Sequence, residues 1–142
     1  MYDRVLVPTD GSETVSVAVD HAIGIATRND AELHTVYVLE TGQFSELLDE
    51  EEFRGTLDRL QEAGENAVEA VVDSATAEGV TARSAVLEGR PTTKLLEYVE
   101  DQRIDLIVMA SQGRTGEARE FIGSVTEEVV CASPVPVLTI NT

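Results

Sequence analysis

Two hydrophobic patterns alternate along this chain. Short runs of consecutive apolar residues are typical of strands buried on both faces of a parallel sheet, whereas apolar residues three or four apart are typical of amphipathic helices. The first pattern predicts five strands, over residues 2–8, 32–39, 80–87, 104–109 and 135–140. Each of the first four predicted strands is followed by a segment with a helical pattern or by a loop that leads into one.

The helical pattern is clearest over residues 13–28, where the apolar positions form one stripe. The acidic segment 40–52 predicts a loop that merges into a second helix, and Gly79 is a plausible stop for that helix near residue 78. A short third helix is predicted after Gly89-Arg90-Pro91, and a fourth opens at Gly123-Ser124.

Alternation of strands and helices predicts an α/β fold, an open parallel sheet with helices on both faces and right-handed crossovers. A chain of 142 residues is expected to form a single domain, residues 1–142. In doubly wound sheets, ligands bind beyond the carboxyl ends of the strands, where the strand order reverses. The loops that follow the strands are therefore the first places to look for chemistry.

The charge balance narrows the class of protein. The formal net charge is −17, and Lys94 is the single lysine beside nine arginines. Many carboxylates with almost no lysine resemble proteins of halophiles that accumulate salt, because molar salt shortens the Debye length to about 3 Å and removes most of the self-repulsion. An acidic mesophilic protein is the alternative. The same charge argues against binding to nucleic acid or to an anionic membrane.

The location of the protein is predicted from what the chain contains. The opening residues 1–10 have the pattern of a strand and not of a signal peptide, and no apolar run reaches the length of about 18 residues that a membrane helix needs. The single Cys131 cannot form an internal disulfide, which suits a reducing compartment. Its apolar neighbours along the chain predict a small buried side chain. We expect a cytoplasmic protein.

The segment 104–124 carries the most informative chemistry. A predicted buried strand runs into a loop that contains Gly113, and a helix opens at Gly123-Ser124. Backbone N–H groups in a glycine loop and at a helix N-terminus attract phosphate. Ser124 also fits a capping box with Glu127, so capping its own helix is a second explanation for that serine. Arg114 is a candidate phosphate contact or a solvated loop residue.

The loop after the first strand supplies the second half of a candidate site. It contains Pro8, Thr9 and Asp10. If the first and fourth strands are neighbours, Asp10 is placed to accept a hydrogen bond from a ribose hydroxyl, and the backbone near Val38 is placed to contact a base. The alternative for Asp10 is a solvated turn residue or a helix cap.

Several other kinds of site are not supported by the sequence. It contains neither a Walker P-loop nor a G-x-G-x-x-G motif. Cysteine and histidine residues do not have metal-ligand spacing, and a serine-histidine-acid triad cannot be assembled from His21 and His34. Both histidines lie away from the predicted strand ends and are expected to be structural. We therefore predict no metal ligands and no catalytic residues.

Several segments together resemble the universal stress protein family. They are VPTDGSE at 7–13, VYVLE at 36–40, GRTG at 113–116, GSVTEEVV at 123–130 and SPVPVLTI at 133–140, so the resemblance covers the whole chain. The ATP-binding branch of the family has the pattern G-x2-G-x9-G-[S/T]. Gly113, nine intervening residues and Gly123-Ser124 match its second and third parts, whereas Ala110 replaces its first glycine. The added methyl is expected to weaken nucleotide binding without abolishing it.

The resemblance implies a Rossmann-like sheet of strand order 3-2-1-4-5 that binds ATP, or AMP or another adenine nucleotide, with Mg²⁺ as the counter-ion of the nucleotide. It implies a stress-response regulator that acts through a homodimer formed by the last strand, with Val135, Val137 and Leu138 at the interface. Alternatives are a dimeric interaction module that has lost nucleotide binding, and a slow ATPase that uses Asp10. The nucleotide-binding positions that the resemblance implies are Pro8, Thr9, Asp10, Val38, Met109, Ala110, Gln112, Gly113, Gly123, Ser124 and Val125.

Overall fold

The computed structural model describes residues 1–42, 47–111 and 123–141. Strands and helices alternate throughout these residues, as the hydrophobic pattern predicts. In chain order the elements are β1 (Arg4–Pro8), α1 (Val15–Asn29), β2 (Glu32–Leu39), α2 (Glu50–Ala77), β3 (Ala82–Glu88), α3 (Pro91–Asp101), β4 (Leu106–Ala110), α4 (Ser124–Ala132) and β5 (Val137–Ile140).

The strands form one parallel sheet of order β3-β2-β1-β4-β5, which confirms the predicted topology. The chain leaves β1 toward β2 on one side and returns to β4 on the other side. This reversal opens a crevice beyond the carboxyl ends of β1 and β4, where doubly wound folds place their ligands. The loops after these two strands are thus neighbours, as the candidate site requires.

Two hydrophobic layers cover the two faces of the sheet. On one face, α1 and α2 pack against alternate strand residues such as Val7, Leu33 and Val108. On the other face, α3 and α4 pack against Leu6, Val36 and related positions. Every side chain of β4 is buried, because this strand lies inside the sheet with helices on both faces.

Both ends of α2 are set by residues that typically begin and end helices. The carboxylate of Asp49 accepts a hydrogen bond from Glu52 N–H at 2.8 Å, and acidic residues fill the first turn of α2, where they favour the positive end of the helix dipole. Gly79 has a φ of +79°, which glycine adopts without strain, and the predicted stop of α2 is confirmed.

The amino ends of the strands are joined by a carboxylate. Asp105, just before β4, accepts hydrogen bonds from the N–H groups of Asp3 and Arg4, at 2.8 and 3.2 Å. Its own N–H donates to the carbonyl of Arg4 at 3.0 Å. One side chain therefore aligns the starts of β1 and β4, which set the register beneath the crevice.

One sequence expectation was wrong. Cys131 is exposed rather than buried. The buried residues of α4 are Thr126 and Val129, three positions apart, and Cys131 lies two positions after Val129 on another side of the helix. Its apolar neighbours along the chain do not share its side of the helix.

A search of the helices in the described ranges found none that combines the length and the apolar character needed to cross a membrane.

Candidate functional site

The loop after β1 is held in shape by short hydrogen bonds. Thr9 N–H donates to the carbonyl of Val36 at 2.9 Å, which keeps the chain against β2 for one residue beyond the strand. The hydroxyl of Thr9 accepts from Gly11 N–H at 3.1 Å, and the carboxylate of Asp10 accepts from Ser12 N–H at 2.9 Å. Gly11 has a φ of +81°, so the turn favours glycine there. Asp10 is thus a turn residue, while Thr14 occupies the N-cap of α1.

The end of β4 and the start of α4 lie against each other. Gly123 N–H donates to the carbonyl of Ser111, and the hydroxyl of Thr126 donates to the carbonyl of Ala110 at 3.0 Å. Ser111 N–H continues the pairing with β5 by donating to Ile140 at 2.8 Å. Both Ser111 and Thr126 are buried. These bonds aim the N-terminus of α4 at the carboxyl end of β4.

The first turn of α4 offers backbone donors. Gly123 is the N-cap, and the first hydrogen bond of the helix runs from Glu127 N–H to the carbonyl of Gly123 at 2.9 Å. The N–H groups of Ser124, Val125 and Thr126 therefore have no carbonyl partner inside the helix. Such a set of donors at the positive end of a helix dipole favours an anion.

The structure corrects the capping-box alternative for Ser124. Gly123 takes the cap position, and Ser124 is the first residue inside the helix, one place too far along for its side chain to cap. Ser124 is exposed, so its hydroxyl faces outward beside the backbone donors of the first turn.

The apolar candidates gather on the sheet face that α3 and α4 cover. Met109, Val38 and Val125 belong to or pack against the same hydrophobic cluster. Leu6 pairs with Ile107, and continuing that register by two residues places Pro8 level with Met109. Val38 lies on β2 two residues beyond Val36, the partner of Pro8. These residues form a patch of suitable character for a flat apolar group.

Ala110 lies on the other face of the sheet. Its methyl belongs to the cluster beneath α1, with Val7 and Val108, and the residue is 9% exposed. Among the described non-glycine residues, only Asp30 and Arg103 have a positive φ. Alanine is therefore unstrained at position 110.

Three candidates, Gln112, Gly113 and Arg114, lie outside the described residues. The structure thus describes Pro8, Thr9, Asp10, Val38, Met109, Ala110, Gly123, Ser124 and Val125. It brings the loop after β1, the end of β4 and the N-terminus of α4 to one edge of the sheet, and it turns the side chain of Ala110 away from the face that carries Val38 and Met109.

Sequence reasoning missed a support behind the loop after β1. The ring of Tyr37 lies between this loop and α2. A Cβ added to Gly64 would stand 2.8 Å from the ring, and one added to Gly11 would stand 3.9 Å from it. The signal was a glycine in the interior of a long helix, where it costs stability unless close packing requires it.

A second missed feature is the junction between β3 and α3, at the same edge of the sheet. Gly89 N–H donates to the carbonyl of Leu39 at 2.9 Å. In the first turn of α3, the hydroxyl of Thr92 donates to Glu128 of α4 at 2.6 Å. Both bonds join segments distant in sequence, and periodicity gives no signal for them.

The remaining candidates lie away from this edge. His21 is exposed on α1, and His34 is buried within β2. In the part of the chain that the structure describes, no group of three or more His, Cys, Asp or Glu side chains is arranged to hold a metal ion. An open groove of about 640 Å³ separates the C-terminal halves of α1 and α2, beside Gly24 and Ala77, toward the amino ends of the strands.

A family model and a related protein sequence both match this chain over nearly its whole length. The family model described as "Universal stress protein family" matches residues 1–141. Universal stress protein MJ0531 of Methanocaldococcus jannaschii is 36% identical over 141 residues, which cover 99% of this chain and 83% of that protein.

Solved structures of related proteins have the same fold as this chain. The structure of MJ0577 superposes with a TM-score of 0.87 at 29% identity, covering 99% of this chain and 96% of that one. A universal stress protein solved in complex with cAMP superposes with a TM-score of 0.75 at 28% identity, covering 99% and 98% of the two chains.

Proposed function

The chain belongs to the universal stress protein family, and from that premise we propose that it binds an adenine nucleotide, ATP foremost, beyond the carboxyl ends of β1 and β4. The observation that carries the proposal is the first turn of α4, whose backbone donors have no carbonyl partner inside the helix and face the edge that the loop after β1 also reaches. A related protein was solved in complex with cAMP, which supports an adenine nucleotide as the class of ligand.

Each part of the nucleotide has a proposed place. The phosphates are bound by the N–H groups of α4 after Gly123, together with Gln112, Gly113 and Arg114, which follow Ser111 in the sequence. Asp10 accepts from the ribose hydroxyls. The base lies against the apolar side chains of Val38 and Met109, which share one face of the sheet.

The proposed role is regulation rather than turnover. ATP acts as a bound signal, and Mg²⁺ is held mainly by the phosphates, because it binds readily with few protein ligands. A slow ATPase is the second possibility, and Asp10 is its candidate acidic group. Phosphate release that exceeds the background and disappears in Asp10→Asn would favour that possibility.

A substitution at Gly123 tests the nucleotide site. Gly123 has a negative φ, so Gly123→Val is compatible with the backbone but places a branched side chain among the phosphate donors. ATP affinity should fall by at least about tenfold, or about 1.4 kcal/mol. Gly55→Val is the matched control, because nothing lies within 4 Å of an added Cβ at that position of α2. Equal affinity in both variants would contradict the proposed phosphate site.

We also propose that the chain forms a homodimer through β5, which is the edge strand next to β4. Leu138 is 39% exposed, whereas Val135 and Val137 pack partly against the core and contribute less surface. An apolar edge strand is a liability unless it is covered. Leu138→Glu should convert the dimer to a monomer in sedimentation experiments. Val17→Glu, on an α1 residue that is 40% exposed, should leave the dimer intact.

The halophilic character is a separate proposal that rests on the net charge of −17. Raising KCl from about 0.1 to about 2 M should increase the free energy of unfolding, because self-repulsion is screened. An unchanged urea midpoint would indicate an acidic protein that needs no salt.

A further inference from the structure

A buried histidine joins three elements far from the nucleotide site. His34 of β2 is 1% exposed. Its Nε2 lies 2.6 Å from Oε1 of Glu32, and its Nδ1 lies 2.6 Å from the hydroxyl of Tyr98 on α3. Arg83 of β3 lies 3.0 Å from the same carboxylate oxygen. Both ring nitrogens of one buried imidazole are thus hydrogen-bonded.

The partners assign the protons of the neutral ring. A carboxylate only accepts hydrogen bonds, so Nε2 carries the proton and donates to Glu32. Nδ1 is then the acceptor, and Tyr98 donates its hydroxyl proton to it. The Tyr98 ring stands edge-on to the imidazole, with centroids 5.6 Å apart. In this state the tyrosine hydroxyl, and through it α3, is bonded to the sheet.

Burial of the ring opposes a second proton. Burial lowers the pKa of His34, the carboxylate of Glu32 raises it in part, and the positive charges of Arg83 and Arg4 lower it further. The facing groups are therefore Arg4 on β1, Glu32 on β2, Arg83 on β3 and Tyr98 on α3.

A second proton would also reverse one hydrogen bond. With both ring nitrogens protonated, Nδ1 becomes a donor and Tyr98 can no longer donate to it. The hydroxyl of Tyr98 then accepts from Nδ1–H, and burial, which raises the pKa of Tyr98, keeps its own proton in place. Undocking of α3 would take Tyr98 away from the buried ring and expose His34 to water. A proton therefore binds the undocked state more readily, and acid favours undocking.

We propose that Glu32, His34 and Tyr98 form a proton-sensitive anchor for α3. With His34 neutral, the tyrosine holds α3 on the sheet. Uptake of a proton by His34 loosens that hold and lowers the local stability of α3, while α1 on the opposite face is unaffected.

The anchor is connected to the candidate site through α3 itself. Leu95 of α3 packs in the same cluster as Val38 and Val125, and Thr92 is bonded to Glu128 of α4. If the proposed nucleotide function holds, ATP affinity should also fall as His34 takes up a proton. That consequence alone rests on the proposed function.

Hydrogen exchange of the full chain without nucleotide tests the anchor. After correction for intrinsic rates, the amides of α3 should lose protection by roughly tenfold between about pH 7.5 and pH 5, while those of α1 keep theirs. Tyr98→Phe should lower α3 protection at neutral pH, and His34→Gln should remove the pH dependence of that protection. Tyr2→Phe, a matched change on the other face of the sheet, should do neither.

The outcomes separate the two proposals. Equal α3 protection at both pH values in the unmodified chain would overturn the anchor, as would a pH dependence that survives in His34→Gln. A pH-dependent α3 in a chain that fails to bind ATP would support the anchor and contradict only the nucleotide function.

Discussion

The amino edge of the sheet and the loop after β1 at its carboxyl edge use polar side chains in different ways. At the amino edge, polar side chains join elements far apart in sequence, as Asp105 does for Asp3 and Arg4, and Tyr98 for His34. In the loop after β1, the side chains of Thr9 and Asp10 bond to residues two positions away, although at the same edge Thr92 joins α3 to Glu128 of α4.

From this difference we infer a division between groups that stabilise the fold and groups that serve the proposed binding. Long-range bonds at the amino edge fix strand register and helix docking. At the carboxyl edge, local turns and a helix N-terminus leave backbone donors without a partner inside the helix, which is what an anionic ligand needs. Substitutions at the two edges should therefore have different consequences, and each prediction below tests that division.

The largest effect is expected behind the carboxyl edge, at Gly64. Overpacking costs about 1–3 kcal/mol, and replacing a helix glycine by alanine returns about 1 kcal/mol. The added Cβ would stand only 2.8 Å from the Tyr37 ring, so the overpacking cost should lie near the upper end of that range. After subtraction of the helix gain, Gly64→Ala should destabilise the fold by about 2 kcal/mol in urea unfolding.

Gly55 of the same helix is the matched control. Nothing lies within 4 Å of its added Cβ, so Gly55→Ala should stabilise the fold by up to about 1 kcal/mol. Gly64→Ala should also weaken ATP binding, because the ring of Tyr37 stands close to Gly11. If both alanine variants are stabilised equally, the ring does not support the loop.

A smaller loss of stability is expected at the amino edge. Asp105→Ala removes the carboxylate that accepts from two backbone N–H groups. Water can partly take its place as the acceptor, so the free energy of unfolding should fall by about 1–2 kcal/mol. ATP affinity should change by less than about threefold. Asp105→Asn, which retains one carbonyl acceptor, should be intermediate in stability. A loss of ATP affinity without a loss of stability would break the division between the edges.

Acid should act on the amino edge through two groups. The pKa of His34 is lowered from 6.5, mainly by burial, so below about pH 6.5 the unfolded chain binds a proton that the folded chain resists, and stability falls with pH. Burial raises the pKa of Glu32, but hydrogen bonds from Arg83 and His34 outweigh this and lower it below 4.5, so its contribution is lost at still lower pH.

Thermal unfolding across this pH range measures both contributions. His34→Gln should remove the dependence below about pH 6.5 and keep the one that begins below about pH 4.5. A variant whose stability follows the same pH curve as the unmodified chain would show that another group titrates there.

The smallest effect on binding is expected at Ala110. Its methyl lies in the cluster beneath α1 and its φ is not positive, so Ala110→Gly should change ATP affinity by less than about threefold. Loss of the buried methyl and the greater entropy of the unfolded chain should lower the free energy of unfolding by about 1 kcal/mol. A gain in affinity of tenfold or more would mean that the methyl does obstruct the nucleotide.

The sequence predicts the fold well because the fold depends on periodicity. The runs around Val5 and Ile107 could only be buried strands, and β2 has the predicted bounds Glu32–Leu39. The stop at Gly79 depends on a glycine conformation that the sequence displays directly. The strand order came from the resemblance to a family rather than from spacing.

The errors and omissions have a common physical origin. Cys131 was expected to be buried because of its neighbours along the chain, but burial on a helix depends on angular position. Ser124 was a candidate cap, but Gly123 holds the cap. Asp105 and Tyr98 were missed because their partners are about a hundred and about sixty residues away, and side-chain hydrogen bonds over such separations leave no periodic trace.

The most direct test of the account is an NMR titration of the ¹⁵N-labelled chain with ATP and Mg²⁺ in molar KCl. The account predicts saturable shifts, below roughly millimolar ATP, of the amides of Thr9, Asp10, Val38 and the first turn of α4. The amide signals of Asp3, Arg4 and Asp105, at the amino edge, should not shift. Absence of shifts, or shifts confined to the amino edge or to the groove between α1 and α2, would contradict it.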